Sequence, residues 1–166
     1  MKNSTSLFIT DPLSALNAKK DTTILWMQEI AVQEGQIFQC EMSDLVYSDG
    51  ITQAKVSEIP DAVLAPQVAQ SLDGLRPLNE FNFIYMRKDP PVDENYMNAL
   101  HLLSQAKQEG AKVMNDPDAL KKFNEKIFAL QFSKWMPDTR VICNLNNFSN
   151  STSEKAPRSC LSFNIP

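Results

Sequence analysis

Charged side chains follow directly after an apolar run in the middle of the chain. The run, Phe81–Met86, is rich in aromatic and β-branched residues, which is typical of a buried strand. Arg87, Lys88 and Asp89 come next, and the two prolines that follow favour an extended backbone at the residue before each of them. Cationic side chains at a strand end could hold carboxylates, and arginine does so through two parallel hydrogen bonds. The alternative interpretation is a solvated charged turn.

Two further polar loops follow predicted strands. The first begins at Asp11-Pro12 and leads into a helix, and the second is Asn115-Asp116. The first loop also carries four polar residues, Asn17, Lys19, Lys20 and Asp21. If the sheet is parallel, all three loops meet at the carboxyl edge of the strands. Open α/β sheets bind their ligands at this edge.

The first 41 residues predict a βαβ unit. Ser6–Thr10 is the first predicted strand, and Gln36–Glu41 is the second. The helix between them, Thr22–Glu34, has apolar residues near helical spacing, with Asp21 as its cap and Gly35 as its stop. Such a unit pairs its strands in parallel with a right-handed crossover.

The rest of the chain predicts further strands and helices of an α/β fold. Asp49-Gly50 predicts a hairpin turn, and residues 58–79 predict a long excursion with one strand around Val68. The other predicted elements are hairpin strands Leu45–Tyr47 and Ile51–Val56, helix Asp93–Glu109, strand Ala111–Met114, a short helix Ala119–Phe123 capped by Asp116, a helix through about Ser133, and strand Thr139–Cys143. Together they predict an open, mostly parallel sheet with flanking helices.

Composition excludes several classes of protein. A formal net charge of -4 argues against nucleic acid or an anionic membrane as the main partner. No apolar run approaches the roughly 18 residues of a membrane span, and the apolar run Leu7–Ile9 is too short for a signal-peptide core. We therefore expect a cytoplasmic protein. Each of the three cysteines, Cys40, Cys143 and Cys160, is interpreted as a small apolar side chain.

Common catalytic motifs are missing from the sequence. His101 is the single histidine, which excludes a His-rich zinc site within this chain. The sequence has no Gly-x-Gly-x-x-Gly, no Gly-Lys-Ser/Thr phosphate loop and no Gly-x-Ser-x-Gly elbow. Its four glycines stand at predicted turns or helix stops. A self-contained backbone cradle for phosphates is therefore not expected.

Several motifs resemble, in order and spacing, the N-terminal half of the prokaryotic glutathione synthetase family of ATP-grasp ligases. The most specific is Met-Arg-Lys-Asp-Pro-Pro-Val-Asp at residues 86–93. The others are Asp11-Pro12, Asn17, Lys19-Lys20-Asp21-Thr22-Thr23, Glu41-Met42-Ser43-Asp44-Leu45 and Asn124-Glu125-Lys126-Ile127-Phe128. The resemblance covers residues 6–143 and fades near Asn146.

The resemblance implies a fold and a reaction. The fold is a pre-ATP-grasp domain, Rossmann-like with three layers, that precedes an ATP-grasp domain. In the family reaction, ATP phosphorylates the cysteinyl carboxylate of γ-glutamylcysteine, and the amine of glycine then attacks to give glutathione. Magnesium neutralises the phosphates in such chemistry. The family also implies that copies of the chain associate into a homo-oligomer.

The same resemblance assigns roles to particular residues. Arg87 and Asp89, together with Asp11 and Asn17, are expected to bind the substrate. Lys126 matches a lysine that helps to bind the nucleotide. No catalytic residue and no metal ligand is assigned in this chain. The alternatives for Asp89 and Lys126 are a turn cap before the prolines and a solvated helix lysine.

The sequence departs from the family after its last matching strand. No Lys-Pro-Leu-Asp-Gly-type segment for gripping ATP follows, and the family's acidic and Asn ligands for magnesium are absent. We expect a substrate-side domain at residues 1–123, the start of an ATP-grasp domain at 124–143, and a divergent, disordered tail at 144–166. A frameshift or premature stop is the simplest hypothesis, and such a chain would be inactive alone. The alternatives are a non-catalytic binding or assembly module, an inert remnant, or the corresponding domain of another carboxylate–amine ligase.

Overall fold

The structure is a computed structural model that describes residues 4–89, 91–123, 125–142 and 159–162. The chain divides into two compact units, Met1–Lys121 and Lys122–Pro166. The strands are β1 Thr5–Ile9, β2 Gln36–Cys40, β3 Leu45–Ser48, β4 Ile51–Ala54, β5 Ser57–Ile59, β6 Gln70–Ser71, β7 Arg76–Pro77, β8 Phe83–Met86, β9 Val113–Met114, β10 Thr139–Ile142 and β11 Ser159–Ser162. The helices are α1 Thr22–Val32, α2 Glu94–Gln108, α3 Pro117–Lys122 and α4 Glu125–Ala129.

A six-stranded sheet forms the centre of the first unit. Its strand order is β6-β5-β2-β1-β8-β9, and the four strands β2, β1, β8 and β9 are parallel. The two remaining strands, β5 and β6, pair in an antiparallel manner at one edge. Since helices flank this sheet, the predicted α/β class with an open, mostly parallel sheet is confirmed.

Alternate residues of the central strand pack against different helices. Leu7 and Ile9 join the apolar cluster that includes α2, whereas Phe8 joins the cluster that includes α1. All three side chains are fully buried. A strand that is covered on both faces carries a nearly continuous apolar run. The unit therefore has three layers, with α1 on one face of the sheet and α2 on the other.

Both long helices begin at an aspartate. Asp21 accepts a hydrogen bond from Thr23 N at 2.7 Å, and Asp93 accepts one from Tyr96 N at 2.8 Å. These contacts satisfy backbone donors that have no partner within the helix. The predicted cap of α1 is thus confirmed. At the other end of α1, the residue with positive φ is Glu34, at 60°.

Gly35 does not have a left-handed backbone, and a glycine is required here because of close contact with Ile30. A Cβ at this position would lie 2.6 Å from Ile30 Cγ2, which is closer than side chains approach one another. The glycine therefore allows the chain to pass closely beneath α1 as it enters β2.

A second, three-stranded sheet has the order β3-β4-β7. The predicted hairpin turn is present, with positive φ at both Asp49 and Gly50, 54° and 81°. Glu109, at the end of α2, accepts hydrogen bonds from Thr52 N and Thr52 Oγ1 at 2.8 and 3.1 Å. This contact joins the hairpin to α2.

The excursion between β4 and β8 differs from the sequence prediction. The strand expected around Val68 lies later, at β6, and Val68 itself is exposed. Strand β5, whose Ile59 lies opposite Ile37 of β2, was not predicted from the sequence. With only three residues before a proline, β5 is too short to show an alternating pattern.

The second unit contains α4, a 3-10 helix at Leu130–Trp135, and a pair of short parallel strands, β10 and β11. The helix expected through Ser133 thus changes to 3-10 geometry at Leu130. Strand β11 lies within the segment expected to be a disordered tail, and residues 143–158 and 163–166 lie outside the described residues. Within the described part of the chain, no helix is long and apolar enough to cross a membrane.

Candidate functional site

Three loops follow the carboxyl ends of the parallel strands, and hydrogen bonds join each of them to the neighbouring strand. Arg87 N donates to Ile9 O at 2.8 Å, and Thr10 N donates to Cys40 O at 3.1 Å. Asn115 Nδ2 donates to Met86 O at 2.8 Å. The backbone after each strand is therefore tied to its neighbour. This edge brings together the loops that the sequence placed at predicted strand ends.

Asp11 lies in direct contact with the loop after β8. Lys88 Nζ forms a salt bridge with Asp11 Oδ1 at 2.9 Å, and Asp89 N donates a hydrogen bond to Asp11 Oδ2 at 3.4 Å. The side chains of Lys88 and Asp11 are 18% and 28% exposed. Both oxygens of the Asp11 carboxylate are thus engaged by protein groups.

Arg87 extends toward the first turn of α1. Its Nε donates to Thr23 Oγ1 at 3.2 Å, and its Nη2 donates to Thr22 Oγ1 at 2.9 Å. Arg87 itself is half-buried. Because a guanidinium has five N–H donors, these two hydrogen bonds leave donors for a ligand. Neutral hydroxyl partners also leave its positive charge uncompensated at this contact.

Asp89 and Asn17 are exposed, but they differ in their contacts. The Asp89 carboxylate makes no hydrogen bond to another described residue. Asn17 Oδ1 accepts from Lys19 N at 3.0 Å, and Asn17 O accepts from Asp21 N at 2.8 Å. Asn17 therefore shapes the turn before α1. Among the described residues, no hydrogen bond links Asn17 with Asp11, Arg87 or Asp89.

Lys126, the residue expected to bind nucleotide, belongs to α4 of the second unit. Its side chain lies outside the described residues, so its role stays a prediction.

The contacts of Lys88 were not predicted from the sequence. The register of β1 against β8 could have indicated these contacts, since Ile9 and Met86 lie opposite each other in neighbouring strands. Asp11 and Lys88 stand two residues further along, so both belong to the face that carries α2. Thr22 and Thr23 were also not assigned to the site, because their contact with Arg87 spans more than sixty residues of sequence.

A second charged cluster joins α2 to α3. Lys107 contacts Asp116 and lies 3.1 Å from Asp118, and Lys121 Nζ lies 2.9 Å from Asp118. Ser104 Oγ donates to Asp118 at 2.7 Å. We call these residues, Ser104, Lys107, Asp116, Asp118 and Lys121, the helix lock. Asp116 also caps α3 as predicted, since it accepts from Asp118 N and Ala119 N at 2.9 and 3.1 Å.

The helix lock shifts the titration of its members. Hydrogen bonds from Ser104, Lys121 and Lys107 hold the pKa of Asp118 well below its usual range. The hydrogen bond from Lys107 likewise lowers the pKa of Asp116. The contacts with Asp116 and Asp118 raise the pKa of Lys107. Each of these groups thus favours the charged form of its partners.

Cys40, at the end of β2, is unsuited to nucleophilic chemistry. The side chain is buried and forms no disulfide. Burial, followed by the charges of Asp44 and Glu41, raises the pKa of the thiol far above its usual range. Because the thiolate is the reactive form, this thiol is unreactive, and Cys40 is an apolar core residue, as predicted from the sequence.

A cavity of about 330 Å³ lies away from these loops. Its lining includes Gly35, Gln36, Ile59 and Asp61, so it opens near the amino end of β2. Within the described residues, no group of three His, Cys, Asp or Glu side chains could hold a metal ion.

The fold and the loop contacts define an α/β domain with charged loops at the carboxyl edge of its parallel strands. A family model described as the N-terminal domain of prokaryotic glutathione synthetase matches residues 5–121. The chain therefore belongs to this family.

Curated relatives named glutathione synthetase support the same assignment. The chain is 44% identical to the protein of Parasynechococcus marenigrum (strain WH8102) over 139 residues, which cover 81% of this chain and 43% of the relative. It is 33% identical to the protein of Shewanella oneidensis over 141 residues, covering 83% and 44%. It is 36% identical to that of Neisseria meningitidis serogroup B over 140 residues, covering 81% and 44%. The chain thus spans less than half the length of these relatives.

Proposed function

We propose that this chain supplies the substrate-side domain of a glutathione synthetase and binds γ-glutamylcysteine at the carboxyl edge of its sheet. The observation that carries the proposal is the placement of Arg87. Two hydroxyls of α1 orient its guanidinium, and its charge has no carboxylate partner in these contacts. The ligand class is supported by the family of the chain and by the names of its relatives.

The chemistry of the ligand matches the groups at this edge. γ-Glutamylcysteine carries carboxylates and an ammonium group. Arg87 offers a planar fork that can bind a carboxylate through two hydrogen bonds. The exposed carboxylate of Asp89 can accept from the ammonium group, and Asn17 can contribute an amide at the rim. Asp11 is already engaged by Lys88 and by the backbone of Asp89.

The complete reaction, in our proposal, needs groups beyond this edge. ATP and magnesium would supply activation of the cysteinyl carboxylate, and glycine would supply the amine. We assign nucleotide contact to Lys126, and the sequence contains no Lys-Pro-Leu-Asp-Gly-type segment. Because electrostatic stabilisation is usually the largest part of catalysis, we infer that the chain by itself does not catalyse ligation. A reducing cytoplasm is consistent with the free thiol of Cys40. Association of copies stays a prediction from the family.

Calorimetry with γ-glutamylcysteine tests the proposal. We expect Arg87→Ala to weaken binding by about 1.5–3 kcal/mol, since the lost hydrogen bonds involve charged groups. Arg87→Lys should give an intermediate affinity, because the charge remains but the planar fork is lost. Lys55→Met, which removes an exposed cation elsewhere, is the matched control. Equal affinities for the unsubstituted chain and Arg87→Ala would remove Arg87 from the site.

A further inference from the structure

Lys88 contacts two parts of the site at once. Its Nζ lies 2.9 Å from Asp11 Oδ1 and donates to Asp89 O at 2.7 Å. The other oxygen of Asp11 accepts from Asp89 N at 3.4 Å. These three residues form a closed ring of contacts between the loop after β1 and the loop after β8. We call this ring the loop clamp.

The loop clamp is partly shielded from water. Its two charged side chains are less than one third exposed, so salt screens their attraction less than that of a fully exposed pair. The phenol of Tyr96 lies near Lys88, and burial raises the pKa of Tyr96 while the Lys88 charge lowers it. Since the phenol stays neutral at ordinary pH, Asp11 is the anion that compensates Lys88 among the residues that the structure describes.

The clamp and the proposed ligand contact lie on opposite faces of one loop. Lys88 turns toward Asp11 on the α2 face, whereas Arg87 reaches Thr22 and Thr23 on the α1 face. Because successive side chains of an extended segment point to opposite faces, holding Lys88 on the α2 face also holds the side chain of Arg87 on the α1 face. The prolines after Asp89 limit the backbone further.

We propose that Lys88 is a positioning residue, which holds the backbone of Arg87 and Asp89 through Asp11 so that these two residues meet the ligand in one geometry. This inference rests on the proposed function. It assigns Asp11 to the clamp, in place of the direct substrate contact expected from the sequence. Pre-ordering a binding loop improves affinity because less conformational entropy is lost on binding.

The test combines a measurement that needs no ligand with one that does. Backbone ¹⁵N relaxation gives the order parameter of the Asp89 amide, and calorimetry gives the affinity for γ-glutamylcysteine. The variants are Lys88→Met, Lys88→Arg and, as matched control, Lys55→Met, all in the 166-residue chain. Circular dichroism confirms that each variant folds.

We expect Lys88→Met to lower the Asp89 order parameter from about 0.85 to below about 0.6. Affinity should fall about tenfold, since the ligand must then order the loop. Lys88→Arg should restore both quantities because it keeps the cation, and Lys55→Met should leave both unchanged. An unchanged order parameter in Lys88→Met would overturn the clamp.

Loss of order without loss of affinity would overturn the positioning role. If the unsubstituted chain binds no γ-glutamylcysteine, the proposed function fails instead. In that case the Asp89 order parameter alone decides whether the clamp exists.

Discussion

Two charged clusters of the first unit differ in how their charges are paired. In the helix lock, two lysines and two aspartates contact one another. At the strand ends, Asp11 and Lys88 form one ion pair. Among the described residues, the Arg87 guanidinium donates to the hydroxyls of Thr22 and Thr23, and Asp89 is exposed. In the helix lock the charges are paired within the protein, whereas the charges of Arg87 and Asp89 remain available for the ligand that we propose. We therefore assign a structural role to the helix lock and keep the binding role at the strand ends as our proposal.

The largest effect on the structural side is expected from removing the cap in the helix lock. Asp116→Ala removes the acceptor for Asp118 N and Ala119 N and one contact of Lys107. We expect the free energy of unfolding to fall by about 1 kcal/mol, the usual cost of losing a cap. Urea unfolding measures this change. Affinity for γ-glutamylcysteine should stay the same, and a joint loss of both would contradict the separation of the two clusters.

A smaller effect on the free energy of unfolding is expected from a change of pH. The folded-state pKa values of Asp116 and Asp118 lie below their usual value. Their stabilisation is therefore fully present above the unfolded pKa of about 3.9 and is lost as pH falls through the lower folded values. The difference in unfolding free energy between the unsubstituted chain and Asp118→Asn should thus narrow from about pH 6 to about pH 3. A difference that does not depend on pH would show that these carboxylates do not act through charge.

Much of the central fold could be predicted from the sequence. The βαβ start, the Asp21 cap, the hairpin at Asp49-Gly50 and the helix after Asp93 all follow from local patterns. Because such patterns depend on residues close together in sequence, the elements that they specify could be predicted. The short strand β5 was not, because its pairing with β2 depends on contacts distant in sequence.

The site could be predicted only in part. The loops were placed correctly at strand ends, because parallel strands end at one edge. The partners of individual side chains were not predicted: Asp11 is bound by Lys88, and Asn17 forms a local turn. Only the register of β1 against β8 shows which residues share a face. The ligand contacts of Arg87 and Asp89 and the nucleotide contact of Lys126 stay predictions.

The most direct test of the central claim is to map γ-glutamylcysteine on the chain by NMR titration of backbone amides. We predict saturable shifts at Thr22, Thr23 and residues 87–89, with little change at the helix lock. No saturable shifts, or shifts concentrated around Gly35 and Asp61 at the cavity near the amino end of β2, would contradict it.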